Sequence, residues 1–296
     1  MIKVIASDMD GTLLGKDHKV APETLEAIHK AQKQGIRFII ATGRNFRSAM
    51  EELKELDLKC DYLVGSGAEV RNPQKEVVLR TPIPLELCEE LYRQLIKFPV
   101  SLIFCTDDFD YRIGTEEEIE ESIVEQIHLF HLEMPMEKIK ESELYPRICE
   151  TTKRITDFES LKNEEVPIYK VFIFTEDIDL LEEIETSLEK NEKIAVASSF
   201  ITNLEITDVR AQKGPVLKQY IESLGYKMDE VMALGDSMND YSMLSMNFGA
   251  TVAMENADSK IKEVSKYVTK SNDALGVAYA IEELLKCYGE EEKGLA

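Results

Sequence analysis

Two aspartates two residues apart, Asp8 and Asp10, close a short apolar run in the segment Asp8-Met9-Asp10-Gly11-Thr12. Side chains at i and i+2 of an extended strand project to the same side, so the pair shares one small volume. Two carboxylates that close need a cation or a shared proton to coexist. An ordinary Asp-Gly turn would use the same residues. A calcium-binding EF-hand loop would not, because counted from Asp8 its sixth position is Leu13 rather than Gly and its twelfth is Lys19 rather than Glu. A second acidic set, Gly235-Asp236-Ser237-Met238-Asn239-Asp240, puts two more carboxylates and an amide in one loop. Earlier in the chain, Ala41-Thr42-Gly43-Arg44 offers a hydroxyl and, where it opens a helix, free N–H groups suited to an oxyanion. A plain turn or N-cap is the simpler use of that Thr-Gly pair. Lys213 precedes Gly214-Pro215, with Pro215 a natural first residue of a helix. A cation there opposes the helix dipole unless an anion lies near it.

The elements around these residues alternate between strand and helix. Lys3 to Ser7 is an apolar, β-branched run, and Pro22 to Gln34 carries Leu25, Ile28 and Ala31 at helical spacing before Gly35. Strands are expected at Ile36 to Ala41, Tyr62 to Val64, Val231 to Leu234 and Ala250 to Ala253. Helices are expected at Phe46 to Leu56, Val216 to Leu224, Tyr241 to Met246 and Ala274 to Leu285. This alternation predicts an α/β fold, a doubly wound, Rossmann-like parallel sheet covered on both faces. In such a sheet the strand ends share one edge, so Asp8, Asp10, Thr42, Asp236 and Asp240 would converge on one crevice. Four carboxylates there ask for a hard cation such as Mg²⁺.

Charge divides the chain. Of 296 residues, 57 are acidic and 35 basic, a net of −22, and residues 83 to 206 alone hold 30 acids and 12 bases. That discontinuity marks an insert, residues 83–206, within a core made of 1–82 and 207–296. The insert reads as α+β, with strands such as Val100 to Cys105 and Tyr169 to Thr175 among helices such as Leu85 to Lys97 and Asp179 to Glu189. No Lys/Arg-rich run exists to neutralise phosphates, which argues against a nucleic-acid partner. The longest apolar stretches, such as Val171-Phe172-Ile173-Phe174, are far short of the roughly 18 residues a membrane-spanning helix needs. Five scattered cysteines without CxxC spacing suggest neither a disulfide framework nor a zinc knot, and a reducing cytoplasm fits them. His128 and His131 lack a third ligand in sequence range and read as a solvated helix face.

Taken in chain order, Asp8-Met9-Asp10-Gly11-Thr12, Ala41-Thr42-Gly43-Arg44, Lys213-Gly214 and Gly235-Asp236-Ser237-Met238-Asn239-Asp240 resemble the four motifs of the haloacid dehalogenase superfamily. The insert between the second and third is similar to the large α+β cap, the substrate-selecting domain, of its Cof-type phosphatases, subfamily IIB. The likeness runs down to Val268-Thr269-Lys270-Ser271-Asn272 and the last helix. It implies a Mg²⁺-dependent phosphomonoester hydrolase. In that reading Asp8 is the nucleophile that forms an aspartyl-phosphate, and Asp10 gives a proton to the leaving alcohol and takes one from water. Mg²⁺ is held by the Asp8 carboxylate, the Asp10 carbonyl and Asp236. Thr42, the Gly43 N–H and Lys213 cradle the phosphoryl oxygens, Asn239 reaches substrate or phosphate, and Asp240 steers Lys213 and metal-bound water. One departure is visible. Where these proteins often carry Asn-Gly-Ala, this chain has Ser66-Gly67-Ala68, so Ser66 stands in for Asn. Gly65-Ser66-Gly67 is no dinucleotide fingerprint, since Val70 replaces the third Gly and no helix is expected after it.

The implied partner is a small-molecule phosphate ester, a sugar or polyol phosphate or a phosphorylated cofactor. Two other readings share these residues: a phosphomutase or phosphotransferase of the same fold, and a metal-dependent binding protein without catalysis. The acidity of the insert bears on the choice of substrate, because carboxylates facing a phosphate site would favour monophosphates over bisphosphates and nucleoside triphosphates.

Overall fold

A computed structural model of the chain describes residues 1–132 and 134–294. Contacts divide it into two compact units, Met1–Arg80 with Ala211–Ala296, and Thr81–Arg210. The first unit opens with β1 (Val4–Ser7), α1 (Pro22–Lys33), β2 (Arg37–Ala41), α2 (Phe46–Leu53) and β3 (Asp61–Val64), followed by the strands β4 (Glu69–Arg71) and β5 (Val77–Arg80). In the second unit come α3 (Leu85–Leu95), β6 (Ser101–Cys105), β7 (Asp110–Ile113), α4 (Glu116–Phe130), α5 (Leu144–Thr151) and β8 (Thr152–Ile155). It continues through α6 (Phe158–Asn163), β9 (Lys170–Phe174), α7 (Ile178–Leu188), β10 (Ile194–Ala197) and β11 (Asn203–Asp208). The chain returns to the first unit as α8 (Lys213–Ser223), β12 (Val231–Gly235), α9 (Tyr241–Leu244), β13 (Ala250–Ala253), α10 (Ser259–Val264), β14 (Tyr267–Val268) and α11 (Gly276–Gly294).

The sheet of the first unit has the order β14-β13-β12-β1-β2-β3-β4-β5. Its first six strands are parallel, and β4 and β5 add an antiparallel hairpin at one edge. That hairpin is the difference from the expected all-parallel sheet. Its loop, Asn72 to Glu76, is closed by Asn72 Oδ1 accepting the Gln74 and Glu76 N–H groups, and the half-exposed β5 leaves no long apolar run to read. The central strands β1, β2, β3 and β12 are buried along nearly their whole length, as a sheet covered on both faces requires. The chain steps outward from β1 to β2 and β3 on one side and to β12 and β13 on the other. The topological switch point therefore lies between β1 and β12, where ligands bind in sheets of this kind. Ser7 pairs with Leu234 there, and the Asp8 N–H reaches the Leu234 carbonyl at 2.9 Å.

The second unit is built on a sheet of order β10-β11-β9-β6-β7-β8, antiparallel except for β7 beside β8. One face buries Phe104, Val171, Ile173 and Ile206 with Leu91 of α3, Leu161 of α6 and Ile184 of α7. The other face carries Ile103 and Phe174 against Leu129 of α4, and a buried ion pair between Lys170 and Glu205 at 3.1 Å. All five cysteines are free, and no helix among the described residues is long and apolar enough to cross a membrane.

Candidate active site

The segment after β1 is not a simple turn. Met9 to Leu13 winds wide, with the Leu14 N–H bonded to the Met9 carbonyl at 2.8 Å, and Gly11 takes φ +76° within it. The sequence needs glycine at that point for two reasons. A side chain at that φ costs about 1–2 kcal/mol, and a Cβ would lie 2.3 Å from Asp236 Oδ2. The turn is pinned from outside by Asn256, whose Nδ2 donates to the Gly11 carbonyl at 2.8 Å, and by Asn272, whose Nδ2 donates to the Leu14 carbonyl at 2.9 Å. Gly11→Ala is expected to lower the melting temperature and to cut activity by about 10²-fold, since the Asp236 carboxylate must shift by about 1 Å to admit the methyl. Wild-type kinetics in a folded Gly11→Ala protein would contradict this placement.

Three carboxylates come together at the switch point: Asp8, Asp236 and Asp240 offer oxygen atoms within 4.8 Å of one another. Lys213 stands among them. Its side chain is fully buried, and its ammonium lies 2.7 Å from Asp8 Oδ1, 2.7 Å from Asp240 Oδ1 and 3.1 Å from Asn239 Oδ1. These three bonds use all three ammonium protons. The helix α8 begins at Lys213 itself rather than at Pro215, which occupies its third position, still in the first turn where a missing N–H does no harm. The cation opposes the dipole of α8, and Asp8 and Asp240 supply the compensating charge. Gly214 lets this helix start approach α9, for a Cβ there would meet the Ser242 carbonyl oxygen at 1.9 Å.

Each carboxylate has its own surroundings. Asp240 is committed on both oxygens, Oδ1 to Lys213 and Oδ2 to the Asp236 and Ser237 N–H groups at 2.9 and 3.2 Å. Asp236 Oδ1 accepts the Thr12 hydroxyl at 2.7 Å. Burial first, and the Asp240 charge second, push the Asp236 carboxyl up to about 7. The same two causes, in the same order, raise Asp8 well above the ordinary carboxylate range, with Lys213 pulling the other way. Burial alone would lower the Lys213 ammonium, but the charges of Asp240 and Asp8 more than reverse it. Buried acids that favour a proton are short of positive charge. A hard cation would meet that deficit, and Asp8 and Asp236, each with an oxygen not given to Lys213 or Thr12, could hold it.

Asp10 is elsewhere. Its carboxylate accepts a fork from Arg44, Nε to Oδ2 at 2.8 Å and Nη2 to Oδ1 at 2.7 Å. Arg44 belongs to the turn after β2, where the Thr42 hydroxyl oxygen accepts the Arg44 N–H at 3.1 Å and can donate its own proton outward. Gly43 lies half-buried between them. The helix α2 starts only at Phe46, capped by Asn45, so Thr42-Gly43 is a turn and not the helix start the sequence suggested. Behind it, the Ser66 N–H bonds to the Thr42 carbonyl at 3.0 Å and the Gly65 N–H to the Arg44 carbonyl at 2.8 Å. Ser66 does this at φ +58°, a conformation Asn adopts more readily than Ser, and its contribution here is backbone support for the Thr42 turn. Sequence reasoning passed over Arg44, Thr12, Asn256 and Asn272 as site residues. The first two stood inside the motifs themselves, whereas the two asparagines are brought in by chain folding.

Among the described residues, no group of metal-ligating side chains other than the Asp8 cluster is gathered, His128 and His131 included. A family model described as haloacid dehalogenase-like hydrolase matches residues 5–281. Two Bacillus subtilis proteins, each named a 5-amino-6-(5-phospho-D-ribitylamino)uracil phosphatase, are similar along their length. YwtE is 32% identical, with 96% of this chain and 98% of that protein covered. YcsE is 30% identical, with 95% and 94% covered. The solved structure of a haloacid dehalogenase-like hydrolase from B. subtilis superposes with a TM-score of 0.84 at 28% identity, over 96% of this chain and all of that one.

Proposed function

The chain belongs to the haloacid dehalogenase-like hydrolases and is a phosphatase, and from that premise we propose that it hydrolyses phosphomonoesters through a phosphorylated Asp8, with Mg²⁺ as cofactor. The observation that carries this reading is the buried group of Asp8, Asp236 and Asp240 around the Lys213 ammonium. Asp8, Asp236 and the Asp10 carbonyl would hold the metal. When bound, it offsets the charge between an anionic nucleophile and an anionic phosphate.

The remaining work falls to side chains. Asp8 attacks phosphorus with one of its carboxylate oxygens, and the ester P–O bond breaks. The leaving oxygen takes a proton from Asp10. Water then attacks the acyl phosphate, Asp10 accepts its proton, and the bond from phosphorus to Asp8 breaks to free phosphate. The Thr42 hydroxyl and the Gly43 N–H donate to phosphoryl oxygens. Lys213 joins them by exchanging its longest bond, the one to the neutral Asn239 oxygen, while keeping Asp8 and Asp240. Asp240 keeps Lys213 in place from below.

We read the substrate as a small polyol or sugar monophosphate. The YwtE and YcsE names describe a phosphate on a ribityl chain, which is such a group. The net of −18 in residues 83 to 206 agrees with a single phosphate. At ~0.15 M salt the Debye length is ≈ 8 Å, so only insert carboxylates near the substrate weigh on this choice. We assign that insert, residues 83–206, the role of selecting substrate. The kcat/KM for a sugar monophosphate is expected to exceed that for its bisphosphate at low salt, and the gap to narrow at high salt. Equal values at low salt would mean that the insert charge carries no selectivity.

Metal dependence tests the reading as a whole. Phosphate release from an aryl phosphate, without any added acceptor alcohol, is expected with Mg²⁺, to vanish with chelator and to be inhibited by Ca²⁺, whose looser shell misplaces nucleophile and phosphate. Full activity after exhaustive chelation, or aryl alcohol set free only when an acceptor is supplied and without free phosphate, would oppose it.

A further inference from the structure

Asp10 is not among the carboxylates gathered around Lys213, and both of its oxygens are turned to Arg44. The third nitrogen of the same guanidinium, Nη1, donates to Glu52 Oε1 of α2 at 3.0 Å. One cation thus stands between two carboxylates. Burial opposes the Arg44 charge, and the bonds and charge of Asp10 and Glu52 hold it above its ordinary value. A carboxylate gripped on both oxygens by a bidentate guanidinium is oriented toward that partner. To serve the leaving group, Asp10 must take up a proton from solvent and bring that oxygen within about 3 Å of the group, so at least one arm of the fork has to open and the Asp10 charge is lost to Arg44. When it opens, Arg44, whose side chain is only 21% exposed, would be left with an unpaired charge, were it not for Glu52, itself 19% exposed.

We propose that Arg44 and Glu52 form a latch for Asp10: Arg44 is a positioning residue that parks the carboxylate, and Glu52 is the anion that keeps Arg44 paired as Asp10 departs. The inference rests on the reading of Asp10 as the acid–base group. It assigns Glu52, about two helical turns into α2 and without a place in any motif, a measurable effect on the reaction. Without the Glu52 charge, Arg44 has only Asp10 to pair with and releases it less readily. That slows substrates whose leaving oxygen needs a proton, and spares those whose leaving group departs unaided.

The test compares kcat/KM for ribitol 5-phosphate, a poor leaving group, and 4-nitrophenyl phosphate, a good one, in full-length protein with Mg²⁺. Glu52→Gln is expected to lower the first by about tenfold and the second by less than about twofold. In an Arg44→Gln background the same change is expected to cost less than about twofold on either substrate, because the latch couples Glu52 to Asp10 through Arg44. Arg44→Met, which also removes the charge, replaces that background where Arg44→Gln does not fold. Asp10→Asn is the reference, with a far larger loss on the polyol phosphate than on the aryl phosphate. An Asp10→Asn loss equal on both substrates would overturn the acid–base reading and the latch with it. An unequal Asp10→Asn loss overturns the latch alone when Glu52→Gln is silent, acts equally on both substrates, or costs the same with and without Arg44.

Discussion

Asp8→Asn is expected to reduce turnover by roughly four orders of magnitude or more while the protein keeps its fold. The amide has the shape of the carboxylate, and its oxygen can still accept from the Lys213 ammonium, now 2.7 Å from Asp8 Oδ1. What is lost is the attacking negative charge, and no other carboxylate replaces it. Asp240 is tied on both oxygens, Asp236 is held by Thr12, and Asp10 is forked by Arg44. The fold does not depend on that charge, because burial and the Asp240 carboxylate already disfavour it. Thermal unfolding of the metal-free variant is therefore expected within a few degrees of the parent or above it. Kinetics with an aryl phosphate, paired with a melting curve, check both halves. Substantial activity in the variant would move the chemistry to another residue.

Lys213→Met carries the second large effect, and it reaches stability as well as rate. Methionine fills similar space but leaves Asp8 and Asp240 without the cation they share. Removing one partner of a buried, hydrogen-bonded charge set typically costs about 3–5 kcal/mol. Loss of one phosphoryl-oxygen donor costs about 10²–10³ in kcat. The stability deficit has a pH signature. Asp236, pushed up to about 7 in the fold from an ordinary 3.8, binds its proton more tightly folded than unfolded, so it favours the fold as pH falls through that window and opposes it above. Without Lys213, which lowers Asp8, the Asp8 carboxyl rises further in the same direction. The loss of stability in metal-free Lys213→Met should thus be greatest near pH 8 and shrink toward pH 5, read from denaturant midpoints at the two pH values. A deficit independent of pH would mean that packing, and not charge, sets the role of Lys213.

Much of this site is legible in the chain because it depends on local rules. Strand–helix alternation gives the doubly wound core, and three of the four motifs sit where its strands β1, β2 and β12 end, so their meeting follows from topology, while Lys213 arrives on the first residue of α8. What escapes is set by packing between distant segments. Nothing local says that the Arg44 guanidinium turns to Asp10, 34 residues earlier, or that Asn256 and Asn272 reach back 245 and 258 residues to the carbonyls of Gly11 and Leu14. The antiparallel β4–β5 hairpin escapes because its strands are short and its outer strand is half-exposed. Ser66 is a third kind of case. Its departure from the family pattern is visible in sequence, but what it does here follows from a left-handed backbone and a main-chain bond to Thr42, which only the folded chain reveals.

The central claim is that phosphorus is transferred to Asp8. Rapid acid quench of the Mg²⁺-loaded enzyme during turnover of a ³²P-labelled monophosphate, followed by peptide mapping, tests it directly. The account predicts label in the peptide that contains Asp8, removed by hydroxylamine as an acyl phosphate would be, and no label in Asp8→Asn. Label on another residue, or turnover in which no phosphorylated protein accumulates even with Asp10→Asn slowing its hydrolysis, would contradict it.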